Sequence, residues 1–152
     1  MKTRIFSFFF CALILISNLS LSASAQESIV SSTIEYFEDG SYLVTTITES
    51  VSRASTKSGS KTTTYHNSSN ETQWTYKITG TFSYTGSSAT CTAVSDSYTI
   101  VNDNWHMSSH SCSKSGNTAS GTVTMKHKFL GITTSTVSRD LTLTCSSTGV
   151  LS

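Results

Sequence analysis

Proline is missing from all 152 residues, charge is scarce at 12%, and no basic excess exists to grip phosphates. The formal net charge is +1. Lys2 and Arg4 belong to a leader expected to be removed, which leaves eight basic residues against nine acidic ones, a balance that disfavours nucleic acid as a partner. Beyond residue 16 no apolar run approaches the roughly 20 residues needed to span a bilayer as a helix, so no membrane span is expected. Helical periodicity is also lacking. There is no G-x-S-x-G elbow and no phosphate-binding loop, and no motif calls for a cofactor.

What is present begins with the leader. Met1–Arg4 is a short basic segment, Ile5–Ile16 is mostly apolar, and Ala23-Ser24-Ala25 is an A-x-A cleavage site ahead of Gln26. This reads as a secretory signal peptide over residues 1–25, cleaved after Ala25, followed by one domain over 26–152. The apolar run is too short for a membrane anchor, and no cysteine follows the cleavage site to take a lipid. Secretion places the mature chain in an oxidising, extracellular setting.

About two in five mature residues are Ser or Thr, which favours strands and turns over long helices. Strict alternation confirms the preference. Trp74, Tyr76, Ile78, Gly80, Phe82 and Tyr84 form one face of a strand, with Gln73, Thr75, Lys77, Thr79, Thr81 and Ser83 on the other. Val123, Met125, His127 and Phe129 form a second such series, and Leu141, Leu143 and Cys145 a third. Glu38-Asp39-Gly40-Ser41 is a hairpin turn, and further turns fall at 67–70, 85–88, 114–117 and 130–131. Residues 52–61 have no period and read as a flexible loop. The expected fold is all-β, an antiparallel sandwich of about eight or nine strands.

Three mature cysteines allow one bond. Cys145 continues the apolar face of Leu141 and Leu143, and Cys91 has small neighbours in Ala89 and Ala93, whereas Cys112 lies in polar sequence. The expectation is a Cys91–Cys145 disulfide with Cys112 a free thiol, the chain being a monomer or a Cys112-linked dimer.

Candidate chemistry is thin. His106, His110 and Cys112 are weak candidates for a metal site. On an extended strand His106 and His110 lie some 13 Å apart, at about 3.3 Å per residue, too far to share an ion whose ligands sit near 2 Å. No metal is therefore expected. S-x-x-K at Ser58–Lys61 and Ser111–Lys114 falls outside any helical turn that would bring Lys beside Ser. Glu35, Glu49, Asp96, Asp103 and Asp140 read as solvated carboxylates, with no pair singled out for hydrolysis. Aromatics at strict strand period belong to the core, which leaves Tyr65, Tyr98 and Trp105 as the expected binding surface. Asn67 and Asn70 head glycosylation sequons.

The order Cys91, Trp105, Cys145 loosely resembles the immunoglobulin framework, but Leu143 stands where those domains carry tyrosine and only seven residues follow Cys145. Three stretches, Tyr36–Thr46 (YFEDGSYLVTT), Lys114–Thr124 (KSGNTASGTVT) and Phe129–Ser152, together resemble a group of small, uncharacterised secreted proteins of Gram-positive bacteria. That resemblance implies secretion and a cysteine near the C-terminus, and it implies no activity. The functional expectation is a non-catalytic secreted protein that recognises an extracellular protein, a glycan or the cell envelope. A toxin or bacteriocin-like effector and a small extracellular hydrolase are the rivals.

Overall fold

The computed structural model describes residues 27–50 and 55–152. The expected leader with its expected cleavage site, and residues 51–54, lie outside the described residues. Eight strands follow one another: β1 (Ser28–Tyr36), β2 (Tyr42–Glu49), β3 (Thr56–His66), β4 (Thr72–Tyr84), β5 (Ala89–Ile100), β6 (Trp105–Ser115), β7 (Thr118–Phe129) and β8 (Ile132–Thr144). They form two antiparallel sheets, one ordered β1-β2-β3-β4-β5 and the other β6-β7-β8. Every strand pairs with its sequence neighbour except at β5–β6, where the chain passes between sheets. This simple meander is an all-β sandwich and lacks the Greek-key connections of immunoglobulin domains.

The alternating series form the core as expected. Trp74, Tyr76, Ile78 and Phe82 of β4 are fully buried and face Val123 and Met125 of β7, with Leu141 and Leu143 of β8 beside them. The intervening Ser and Thr residues tile the outer face, where Ser58–Thr81, Ser60–Thr79 and Thr64–Thr75 hydroxyl pairs run across β3 and β4.

One expectation is corrected here. Residues 56–61, read as part of a flexible loop, belong to β3, a strand paired on both sides. Its inward residues are Lys57, Gly59, Lys61, Thr63 and Tyr65, so no apolar alternation marks it. The hydrophobic filling comes from elsewhere: Leu151 lies against Gly59, and an added Cβ there would stand 2.2 Å from Leu151 Cδ1. Lys61 Nζ reaches across to the Thr142 carbonyl oxygen at 2.9 Å.

The same five-residue turn occurs three times, at 37–41, 67–71 and 146–150. In each, the first N–H donates to the carbonyl of the fifth residue, and the fourth N–H donates back to the first. The fourth residue has positive φ, namely Gly40, Asn70 and Gly149. Asn serves because its short side chain tolerates the left-handed region better than other non-glycine residues.

Candidate functional site

Four connections gather at one end of the sandwich: β1–β2, β3–β4, β5–β6 and β7–β8. Between them opens a cleft of about 290 Å³, lined by Asp39, Tyr65, Asn67, Gln73, Asn102, Trp105, His127 and Ser135. Both sheets contribute, so only the folded sandwich assembles it. The aromatic floor is a packed cluster of rings. Tyr65 stacks on Trp74 at 5.4 Å, Trp105 meets Tyr65 edge-on at 5.1 Å, and His127 meets Trp105 at 5.3 Å. Tyr65 and Trp105 are only 7% and 4% exposed. They therefore present edges to the cleft and are not the open binding surface expected from the sequence.

The amides above that floor are held by hydrogen bonds. Asn102 Nδ2 donates to Gln73 Oε1 at 2.7 Å, and Gln73 Nε2 donates to the Glu71 carbonyl oxygen at 3.0 Å. Asn67 Oδ1 accepts from the N–H groups of Ser69 and Glu71, which fixes its turn. His127 engages Thr134 Oγ1 through Nδ1 at 2.7 Å, leaving Nε2 as its remaining polar atom. The Ser41 hydroxyl and N–H both donate to Asp39 Oδ1 and hold the carboxyl below the usual carboxylate range. Asp39 is thus an anion at neutral pH. Sequence reading missed Asp39, Asn67, Gln73, Asn102, His127 and Ser135 as one group, because they are scattered over about a hundred residues with no spacing rule.

A second polar cluster lies in the seam where β5 faces β6 without ladder pairing. Two bulges create it. β5 slips between Thr81 and Phe82 of its partner β4, and β6 carries an extra residue between Met107 and Ser109. A bulge flips the side-chain parity that follows it. Asp96 and Tyr98 thereby share the inward face with Cys91, and His110 and Cys112 share it with Trp105 and Met107. His106, before the bulge, stays outside beside Lys126 and Lys128. The weak metal trio is therefore split by fold geometry, and among the described residues no group of three or more His, Cys, Asp or Glu is placed to hold a metal ion.

Asp96 is the hub of the seam and not a solvated edge carboxylate. His110 Nδ1 lies 2.7 Å from its Oδ2, and the Tyr76 hydroxyl donates to the same oxygen at 2.9 Å while lying 3.2 Å from the Ser111 carbonyl oxygen. The Cys112 thiol bonds to Asp96 as well. Burial raises the Asp96 pKa, but the bonds from His110, Tyr76 and Cys112 outweigh it and leave the group lowered. Burial, then the Asp96 charge, pushes the Cys112 thiol up. A thiol held protonated against a carboxylate is a poor nucleophile. The cluster works as a polar clasp between sheets. Tyr98, its ring 5.4 Å from His110, belongs to this clasp and not to the cleft.

Because the folded Asp96 pKa is lowered, its contribution is complete above the unfolded value of 3.8 and drains away as pH falls below that. Asp96→Asn should cost roughly 1–3 kcal/mol at pH 7, the scale of a broken buried hydrogen-bond set. Urea midpoints of the two proteins should converge as the pH drops from 4 toward about 2. A constant gap across that range would show that Asp96 is not the hub.

Two of the other carboxylates find surface partners: Glu35 pairs with Arg139 at 2.8 Å and Glu49 with Lys57 at 2.7 Å. Both S-x-x-K matches fall within β3 and β6, where residues three apart point to opposite faces. Cys91, Cys112 and Cys145 are thiols in this structure, so the expected Cys91–Cys145 bond is not formed in it. The Cys91 thiol bonds the Ala93 carbonyl oxygen and the Cys145 thiol that of Ser146, each within its own chain segment. The two are nonetheless buried in one hydrophobic cluster, and each is pushed up by burial. Comparison with family models, with curated proteins and with solved structures finds no match for the chain.

Proposed function

We propose that this chain is a secreted, non-catalytic recognition protein whose ligand is a small neutral saccharide held in the end cleft. The observation that carries the reading is the cleft's make-up: a packed aromatic floor, with Asp39, His127 and Ser135 among the polar side chains that line it. Vicinal hydroxyls suit a carboxylate acceptor, and the apolar face of a sugar ring suits aromatic edges. At about 290 Å³ the cleft lies at the small end of ligand sites, which run roughly 300–1,000 Å³, so one sugar residue is the natural occupant. The leader supports export, and the clasped state of Cys112 supports a binding role over thiol catalysis.

Titration with a panel of monosaccharides, followed by tryptophan fluorescence, tests the reading directly because Trp105 lines the cleft. Saturable binding is expected for at least one sugar, weakened tenfold or more by Asp39→Ala and by His127→Ala with thermal midpoints little changed. A flat response across the panel, or an affinity indifferent to both substitutions, would remove the proposal.

A further inference from the structure

The β7–β8 hairpin runs past the end of the sandwich. Its inward series continues beyond the core, and the last member, Phe129, is 61% exposed. With Leu130 at 87% and Ile132 at 70%, the tip puts three large apolar side chains in water. Isolated exposed apolar residues are ordinary, but a contiguous set on one projecting turn marks a contact surface.

The backbone adds a second, independent observation. Leu130 and Gly131 form a two-residue hairpin loop with φ of 51° and 81°. Positive φ at both positions is the type I′ arrangement, whose first position suits Asn, Asp or Gly. Leucine there is unfavourable twice over, by conformation and by exposure. A residue that costs stability at a surface position points to a role outside the fold.

Charge indicates the partner. From Thr118 through Arg139 the chain has Lys126, Lys128 and Arg139 and no carboxylate. Arg139 is occupied by Glu35, but the ion pairs of the described residues leave Lys126 and Lys128 unpaired. These two lysines share the outer face just behind the tip, where they line a shallow pocket with His106. The carboxylates of the connections at this end, Glu38, Asp39, Glu71 and Asp103, all sit on other connections. An apolar tip backed by free cations fits a bilayer surface bearing anionic phosphates: the tip enters the interface and the lysines meet the headgroups. We propose that the β7–β8 hairpin docks the protein on an anionic phospholipid membrane through Phe129, Leu130 and Ile132, with Lys126 and Lys128 as headgroup ligands.

The test uses vesicles of phosphatidylglycerol with phosphatidylcholine against vesicles of phosphatidylcholine alone, with the full chain so that any leader contribution is common to all variants. In Leu130→Trp, the new indole should shift to the blue on adding anionic vesicles and much less on adding neutral ones. Lys126→Ser with Lys128→Ser should reduce that response about tenfold, as should raising the salt. Leu130→Asn should lose at least tenfold in sedimentation with anionic vesicles while its thermal midpoint rises, since Asn-Gly suits the turn. An unshifted indole, or Leu130→Asn sedimenting like the parent chain, overturns the proposal. Tip-dependent self-association without vesicle binding overturns it too, and would name a second copy as the occupant.

Discussion

Gly121→Val should leave the chain without a cooperative unfolding transition, and Gly121→Ala should lower stability by about 3 kcal/mol or more, the upper part of the range for overpacking. Gly121 lies on the inward face of β7, opposite Cys112 on one side and Leu141 on the other. A Cβ at this position would stand 2.3 Å from Ile78 Cγ2 and 2.6 Å from the Tyr76 hydroxyl. Neither neighbour can yield cheaply. Ile78 and Tyr76 are both fully buried, and the Tyr76 hydroxyl is committed to Asp96. The substitution thus strains the core and the inter-sheet clasp together, and a total stability of roughly 5–15 kcal/mol leaves small domains little reserve. Near-ultraviolet circular dichroism during a thermal melt reads the result. An alanine variant that melts within a degree or two of the parent would mean that the sheets do not approach this closely at β7.

Under oxidising conditions one bond should form, Cys91 to Cys145, with Cys112 left as a thiol. The two core cysteines are anchored on consecutive residues of the β6–β7 turn: the Cys91 N–H donates to the Gly116 carbonyl oxygen at 2.7 Å, and the Cys145 N–H to that of Asn117 at 3.0 Å. Their thiols are close enough for the charge of one to raise the pKa of the other. Cys112 is held away by Asp96 in the seam. Closing a loop of about 54 residues should stabilise the fold by roughly 4 kcal/mol on the chain-entropy account. The raised pKa of both buried thiols predicts slow closure, and Cys112, raised as well but not fully buried, should be the first to react with an alkylating reagent. Denaturant midpoints with and without reductant, joined to peptide mapping, measure both claims. Recovery of Cys112 in a linked peptide, or midpoints unmoved by reductant, would reject the pairing.

The clasp explains why a bulge can matter as much as a catalytic motif. Without the extra residue near Ser108, Ser109 and Ser111 would face inward in place of His110 and Cys112. Asp96 would then lie buried without its cation-capable partner, at a cost the fold avoids. The bulge in β5 does the same for Asp96 itself. The sheets meet on matched polar groups because each facing strand carries one irregularity, at Thr92 in β5 and Ser108 in β6, on either side of the Asp96–His110 contact.

The amino-acid sequence alone determined the strand composition, the hydrophobic faces of β4, β7 and β8, and the turn at Asp39-Gly40, since each depends on neighbours within a few residues. Burial of one face of an extended chain leaves a period of two, which is legible wherever the buried residues are apolar. It was not legible in β3, whose inward Lys57, Gly59, Lys61 and Thr63 are not apolar and whose Gly59 is covered by Leu151, more than ninety positions along the chain. The cleft, the clasp and the split of His106 from His110 were decided only by tertiary structure. Bulges reset side-chain parity without a sequence mark of their own, and the contacts that select them join residues many positions apart.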